Sequence, residues 1–248
     1  NSSWGAGGGG RLWAEVDVVF SHVAASNTHD RIRGIERDMA PILAKHWNEM
    51  HLNARLFKRI DTLMAASLKL DSESLRVLER YHLDFVRAGA KLEGDGRARY
   101  AAIIEELASL GTSFGQNVLA DEQAFVLPLK ESELAGVPDF ARDAAAETAK
   151  ERGLDAPFAV TTSRSSVEPI LQFAEDRELR EKIFKAWTAR GDNANAHNNR
   201  ALIAEMVKLR AERARLLGYP TFAHYKLADT MAKTPQTARA LLDRVWTP

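Results

Sequence analysis

The run YAAIIEELASLGTSFGQNV, from Tyr100 to Val118, decides the fold. Its apolar positions Tyr100, Ile103, Ile104, Leu107, Leu110, Phe114 and Val118 return at intervals of three and four, which places them on one face of a helix. Gly94-Asp95-Gly96 punctuates the chain just before it. An amphipathic pattern sustained over so many turns predicts a scaffold spine in a mainly α protein.

Working outward toward the N-terminus, the helical pattern begins at Asp30. Ile32, Ile35, Met39, Ile42 and Leu43 mark one stripe, which Pro41 is expected to bend or divide because it lacks an N–H donor. Leu56, Phe57, Ile60, Leu63 and Met64 mark a second. Asp71 and Ser72 offer side-chain oxygens to free N–H groups at the start of a third, which carries Leu75, Leu78, Tyr81, His82, Phe85 and Val86. On the C-terminal side the period changes at 125–129 and again at 158–162, short β-favouring runs bounded by Pro, Gly, Asp and Ser. A small β ribbon is predicted there, with the alanine-rich segment Asp139 to Arg152 as a helix between its strands in a β-α-β-like insert.

Helical spacing resumes from Asp176 with Leu179, Ile183 and Trp187, and again with Leu202, Ile203, Met206, Val207, Ala214 and Leu217. Gly218 supplies a left-handed stop, Pro220 prevents continuation, and Thr221 caps a short helix holding Phe222 and Tyr225. Thr234-Pro235 opens the last helix, where the missing proline N–H is harmless, and Leu241, Leu242, Val245 and Trp246 form its apolar edge. The fold class is therefore a multi-helix lobe with a small inserted β ribbon, without the recurring period of a solenoid.

Of the 248 residues, 45% are apolar, enough for a sizeable core and too many for a disordered chain. Lys and Arg total 34 and Asp and Glu total 34, so no global positive field attracts nucleic acid. With no cysteine, disulfides, thiol nucleophiles and thiolate metal sites are excluded together, and a reducing compartment fits. No apolar run reaches the roughly 18 to 20 residues of a membrane span, so no membrane partner is expected. Residues 1–12 read as a glycine-rich leader, not as a signal peptide. Their match to G-x-G-x-x-G has no preceding strand to set a phosphate against a helix.

Candidate chemistry is sparse. His46 and His51 are five residues apart, which puts their rings about 140° apart around a helix and spoils a zinc pair. His82 lies on an apolar stripe and reads as core. Ser163-Arg164-Ser165-Ser166 lacks the G-x-S-x-G elbow of a serine nucleophile and reads as a turn whose hydroxyls bond local backbone. Arg164 is the one substrate-binding candidate, since a guanidinium can grip a carboxylate bidentately. Glu147 with Glu151, and Glu175 with Glu178, have the spacing of solvated helix faces. The run Arg210 to Arg215 alternates charge in a way that suits i, i+4 pairing on a packed helix better than phosphate binding.

Several segments resemble the zinc oligopeptidases of the thimet oligopeptidase, oligopeptidase A and peptidyl-dipeptidase family, with the peptidyl-dipeptidase branch most similar. The resemblance rests on LERYHLDFVRAGA (78–90), LGTSFGQNVL (110–119), SRSSVEP (163–169), LREK (179–182), WTARG (187–191), RAERARLLGY (210–219) and DTMAKTP (229–235). It covers the chain from about Trp13 onward. In that family zinc is held by H-E-x-x-H and a later glutamate, and no H-E-x-x-H occurs in these 248 residues.

The resemblance thus implies that residues 13–248 form the amino-terminal, largely helical lobe of a zinc peptidase, one wall of a channel that admits short peptides. It implies a cytoplasmic setting, zinc only in the catalytic half, and that catalytic lobe as partner; no catalytic or metal residue is carried over. The chain alone is then expected to be inactive. The alternative from another class is an independent helical adaptor that binds partner proteins.

Overall fold

The computed structural model describes residues 11–66 and 68–246. Most of the glycine-rich leader, residues 1–10, lies outside the described residues, and the chain is helical from Arg11. In chain order come α1 (Arg11–Ser26), α2 (Asp30–His51), α3 (Ala54–Ala65), α4 (Ser72–Arg87) and the spine α5 (Gly94–Ala124). Then follow β1 (Leu127–Leu129), α6 (Asp139–Glu151), β2 (Phe158–Val160), α7 (Arg164–Phe173) and α8 (Arg177–Thr188). The remaining helices are α9 (Arg200–Leu216), α10 (Phe222–Leu227) and α11 (Pro235–Trp246). The mainly α reading with a small inserted ribbon therefore holds.

Local signals set many of the boundaries. Asp71 caps α4, its Oδ1 accepting from the Glu73 and Ser74 N–H groups at 3.0 and 2.9 Å. Asp176 does the same for α8, accepting from Glu178 and Leu179, and Thr221 caps α10 through the His224 N–H. Thr234 Oγ1 accepts the Thr237 N–H at 3.1 Å ahead of α11. Gly218, at φ +80°, takes the left-handed conformation that ends α9 without a Cβ penalty.

Three expectations are corrected. Pro41 does not divide its helix, because α2 runs from Asp30 to His51 with Pro41 inside it. Ser163 to Ser166 is not a free turn: Ser163 is the N-cap position, α7 starts at Arg164, and Pro169 lies within it. Local bonding remains: Ser166 Oγ accepts the Thr161 N–H at 3.0 Å, Thr161 Oγ1 accepts the Ser163 N–H at 3.3 Å, and the Thr161 and Ser163 hydroxyls lie 3.1 Å apart. Finally, the two strands run antiparallel, pairing Leu127 with Val160, Pro128 with Ala159 and Leu129 with Phe158, so the insert lacks the parallel strands of a true βαβ unit. Each strand keeps only three residues of its predicted run.

The chain divides into two compact units. One comprises the described residues up to Thr112 together with those from Ala204 onward, and the other is Ser113–Ile203. In the second, Leu127, Leu129 and Val160 of the ribbon join Val167 and Ile170 of α7 and Leu179 and Ile183 of α8 in one apolar cluster. A two-stranded ribbon is marginal alone, and this cover holds it. Each such side chain, fully buried, contributes about 1.5–3 kcal/mol. Pro128 is tolerated because its exposed position lies in a ribbon whose strands are both edges. In the first unit, Phe85, Tyr100, Ile103, Leu209, Ala214 and Tyr225 are buried. Asn48 of α2 donates from Nδ2 to the Ala101 carbonyl of α5 at 3.0 Å.

Candidate functional site

The most completely bonded polar centre lies in the Ser113–Ile203 unit. Asp121, near the end of α5, is only 6% exposed. Its Oδ2 accepts the Gly191 N–H at 2.8 Å and the Asn193 side-chain amide at 2.7 Å, while Oδ1 accepts the Asn195 amide at 2.8 Å. One carboxylate thus holds the loop between α8 and α9 at three points. Burial alone would raise its pKa, but the Asn195, Gly191 and Asn193 donors, with His197 adding a favourable field, outweigh that and hold it below the ordinary carboxylate range.

The same loop closes on Asn199, which is 1% exposed. Asn199 N–H donates to the Gly191 carbonyl at 2.7 Å, its Nδ2 donates to Phe114 O at 3.2 Å, and its Oδ1 accepts from Asn117 at 2.9 Å. Gly191 is required on two counts. Its φ is +72°, and a Cβ there would sit 2.6 Å from Asn199 Nδ2. Beside it, Arg190 donates to Glu122 at 2.5 Å, to the Thr162 carbonyl at 3.2 Å and to the Trp187 carbonyl at 3.0 Å, tying the ends of α5, β2 and α8. These groups spend their hydrogen bonds inward, on loop architecture. A lone carboxylate and an asparagine-rich loop some 70 positions later carry no periodic signal, so neither Asp121 nor its partners stood out as candidates. The only hint is that loop's density of Gly, Asp and Asn.

A second centre lies in the other unit. Arg213 donates from Nη2 to Tyr100 Oη at 3.1 Å and to Tyr225 Oη at 2.8 Å, and its guanidinium stands 4.9 Å over the Tyr225 ring. Arg87 stacks on that ring at 4.5 Å and donates to the Tyr225 carbonyl at 2.9 Å. Burial raises the Tyr100 phenol above its ordinary pKa, so it stays neutral as an acceptor for Arg213. On the same helix, Arg99 grips Glu212 bidentately at 2.6 and 2.7 Å. In the basic run of α9, Arg213 is thus engaged in packing and Glu212 in an ion pair, whose partner is Arg99 of α5 and not the i, i+4 neighbour that the alternating charge suggested.

Arg164 stands on the first turn of α7 with an 81% exposed side chain, and its Nε donates to Glu168 Oε1 at 2.6 Å. His82 is not simply core: its side chain is 20% exposed, its Nε2 lies 2.9 Å from Asp61 Oδ1, and its ring stacks on Phe57. One face of the ring thus stacks in an apolar setting, while a carboxylate lies within hydrogen-bond reach of Nε2. His51 packs between Trp47 and Phe85, and burial holds its imidazole below its ordinary pKa. Among the described residues no group of three or more His, Cys, Asp or Glu could hold a metal ion. A shallow depression of about 480 Å³, lined by Lys208, Glu212, Arg215 and Leu216, brings no nucleophile and base together.

The fold and its polar centres define a helical scaffold with a tightly held loop, without the donor set of a metal centre among the described residues. Residues 170–246 match the family model described as Peptidase family M3. It is 37% identical over 232 residues to the dipeptidyl carboxypeptidase of Escherichia coli (strain K12), an alignment covering 92% of this chain and 34% of that protein. It is 35% identical over 242 residues to the dipeptidyl carboxypeptidase of Salmonella typhimurium, covering 96% and 36%. Oligopeptidase A of Haemophilus influenzae is 30% identical over 249 residues, covering 95% and 35%. The chain spans about a third of the length of these curated relatives.

Proposed function

We propose that this chain is the amino-terminal, substrate-channel lobe of a cytoplasmic zinc-dependent oligopeptidase or peptidyl-dipeptidase that cleaves short peptides. The observation that carries it is the conjunction of two facts. Similarity to dipeptidyl carboxypeptidases runs through 92% of the chain, yet the sequence contains no H-E-x-x-H.

Its own residues do not fit a zinc ion. His46 and His51 have the wrong helical spacing, and the remaining imidazoles are not gathered with carboxylates into a ligand set among the described residues. Metal and general base are therefore assigned to the catalytic lobe of the same peptidase. This chain contributes a rigid wall, for which a helical scaffold with an internally bonded loop is suited. Arg164, beside Glu168 on an exposed helical turn, is its candidate for a peptide carboxylate.

Co-expression tests the reading. The chain is paired with the two thirds of E. coli dipeptidyl carboxypeptidase that it does not match, and the complex is given a short fluorogenic peptide. Cleavage that a chelator abolishes and zinc restores, present in the complex and in neither part alone, is the expected result. Well-folded parts that neither associate nor cleave together would overturn it.

A further inference from the structure

We propose that the corner between α2 and α3 is an acid-sensitive latch: the uncharged His51 ring, packed between Trp47 and Phe85, holds α3 against α4, and a proton taken up at Nε2 releases it. The rings form a continuous ladder. Trp47 and His51 stand 4.6 Å apart, His51 and Phe85 5.0 Å, Phe85 and Phe57 6.3 Å, and Phe57 and His82 5.8 Å. α2 thereby grips α4, and α3 joins the ladder through Phe57, its one aromatic residue.

α3 depends on that ladder. It has 12 residues and no buried one, and a helix so short is marginal in water without a packed face. Such an element opens at a lower free energy than the core. Phe85, by contrast, is 6% exposed and anchors the ladder among the buried residues of its unit.

His51 controls the ladder because of where its second proton must go. Nδ1 lies 3.2 Å from the Trp47 carbonyl, which only accepts, so Nδ1 carries the hydrogen of the neutral ring and Nε2 takes the next one. The charge then stands among aromatic rings. Asp84 of α4 favours the charged ring but is already paired with Arg80 at 2.8 Å. From α5, Arg97 brings a positive charge to the adjoining residue, donating to the Leu52 carbonyl at 3.2 Å. On α3, Asp61 is engaged by His82 Nε2 at 2.9 Å, and Arg55, Lys58 and Arg59 are exposed. Burial outweighs the Trp47 carbonyl and Asp84 and holds the His51 pKa below its ordinary value. The closed corner therefore prefers the neutral ring. Its hold is complete above the ordinary histidine pKa of about 6.5, weakens as pH falls below that, and levels off once the closed state also takes the proton. A protonated His82 beside Asp61 pulls the other way, tightening α3 on α4, so substitution separates the two histidines.

Amide hydrogen exchange on the 248-residue chain at about pH 7.5 and about pH 5, corrected for the intrinsic rate, tests the latch. Amides of α3 and of positions 52–53 should lose about threefold or more of their protection in acid, relative to those around Ile103 of α5. His51→Phe, which keeps a ring and removes the titration, should abolish that loss, as should His51→Leu where the phenyl group distorts the corner. Asp61→Asn should leave the loss in place or enlarge it. NMR titration of the His51 ring in the wild-type chain should have its midpoint below about 6.5. A midpoint at or above that value, an equal acid loss in wild type and both His51 variants, or no loss in wild type would each overturn the proposal.

Discussion

Replacing Asp121 by alanine removes one acceptor from three donors. Hydrogen bonds to a charged group contribute about 1.5–3 kcal/mol each, so simple addition gives about 4.5–9 kcal/mol. That sum is too large, because the Asn193 and Asn195 amides lie nearer the surface and regain water. The Gly191 N–H is in a buried bond and regains nothing, and Gly191 also accepts the Asn199 N–H that closes the loop. Counting that one donor in full and the two amides at a discount gives a loss of about 3–4 kcal/mol for Asp121→Ala. Asp121→Asn should cost about half as much. Its amide oxygen can still accept from Gly191 and Asn193, and only Asn195 then faces an N–H₂ group. Asn195 cannot rotate its amide freely, because its Oδ1 already accepts the His197 N–H at 2.8 Å. Urea melts with unchanged m-values would measure both losses. An Asp121→Ala loss below about 1 kcal/mol would show that the loop does not depend on this carboxylate, and would refute the reasoning.

Because the folded pKa of Asp121 is depressed, its contribution is fully present above the ordinary carboxylate pKa of about 3.9 and is lost as pH falls through the lower folded value. The stability gap between wild type and Asp121→Asn should therefore be complete at neutral pH and close in strong acid, which melts across pH would show. Ile183 is fully buried and Phe184 is 50% exposed, so Ile183→Ala should cost about 2–5 kcal/mol; a comparable loss for Phe184→Ala would mean that the phase of α8 is wrong. Trp187 packs against the apolar cluster, but its Nε1 is buried without a hydrogen-bond partner. Trp187→Ala should cost about 3 kcal/mol and Trp187→Phe under about 1 kcal/mol, and equal losses from the two in denaturant melts would show that the indole nitrogen is satisfied after all.

How far sequence reached depends on whether the determining contacts are local. The spine α5 is legible because a single apolar face recurs over many turns, and Asp71, Asp176, Thr221 and Gly218 are legible because a cap bonds within a few residues of itself. α1 escapes for a reason of composition. Leu12, Val16, Val19 and Val23 do recur at helical intervals, with Val18 off their face, but the stripe is built almost wholly of valines, which favour strands and weaken a helical reading of the segment. Of the bend or division expected at Pro41, the division does not occur, because tertiary packing, with Ala44 and Asn48 buried over the next two turns, can hold a helix across a missing hydrogen bond. His82 was placed on the correct face, but its carboxylate partner comes from α3, 21 positions earlier.

The Asp121 centre is the clearest case of a site that sequence hides. Its donors come from residues 70 to 74 positions away, and what joins them is the folding of α8 back toward the end of α5. Arg164 lies not in the turn that its serine-rich motif suggested but on the first helical turn of α7, with Glu168 four residues on, a spacing that suits such a pair.

The central claim is tested most directly by peptide hydrolysis with this chain alone. The purified 248-residue chain, supplied with zinc and a short fluorogenic peptide, is predicted to show no turnover above buffer, while the same preparation gains turnover when joined to the catalytic part of a dipeptidyl carboxypeptidase. Chelator-sensitive hydrolysis that co-elutes with this chain by itself would contradict the account.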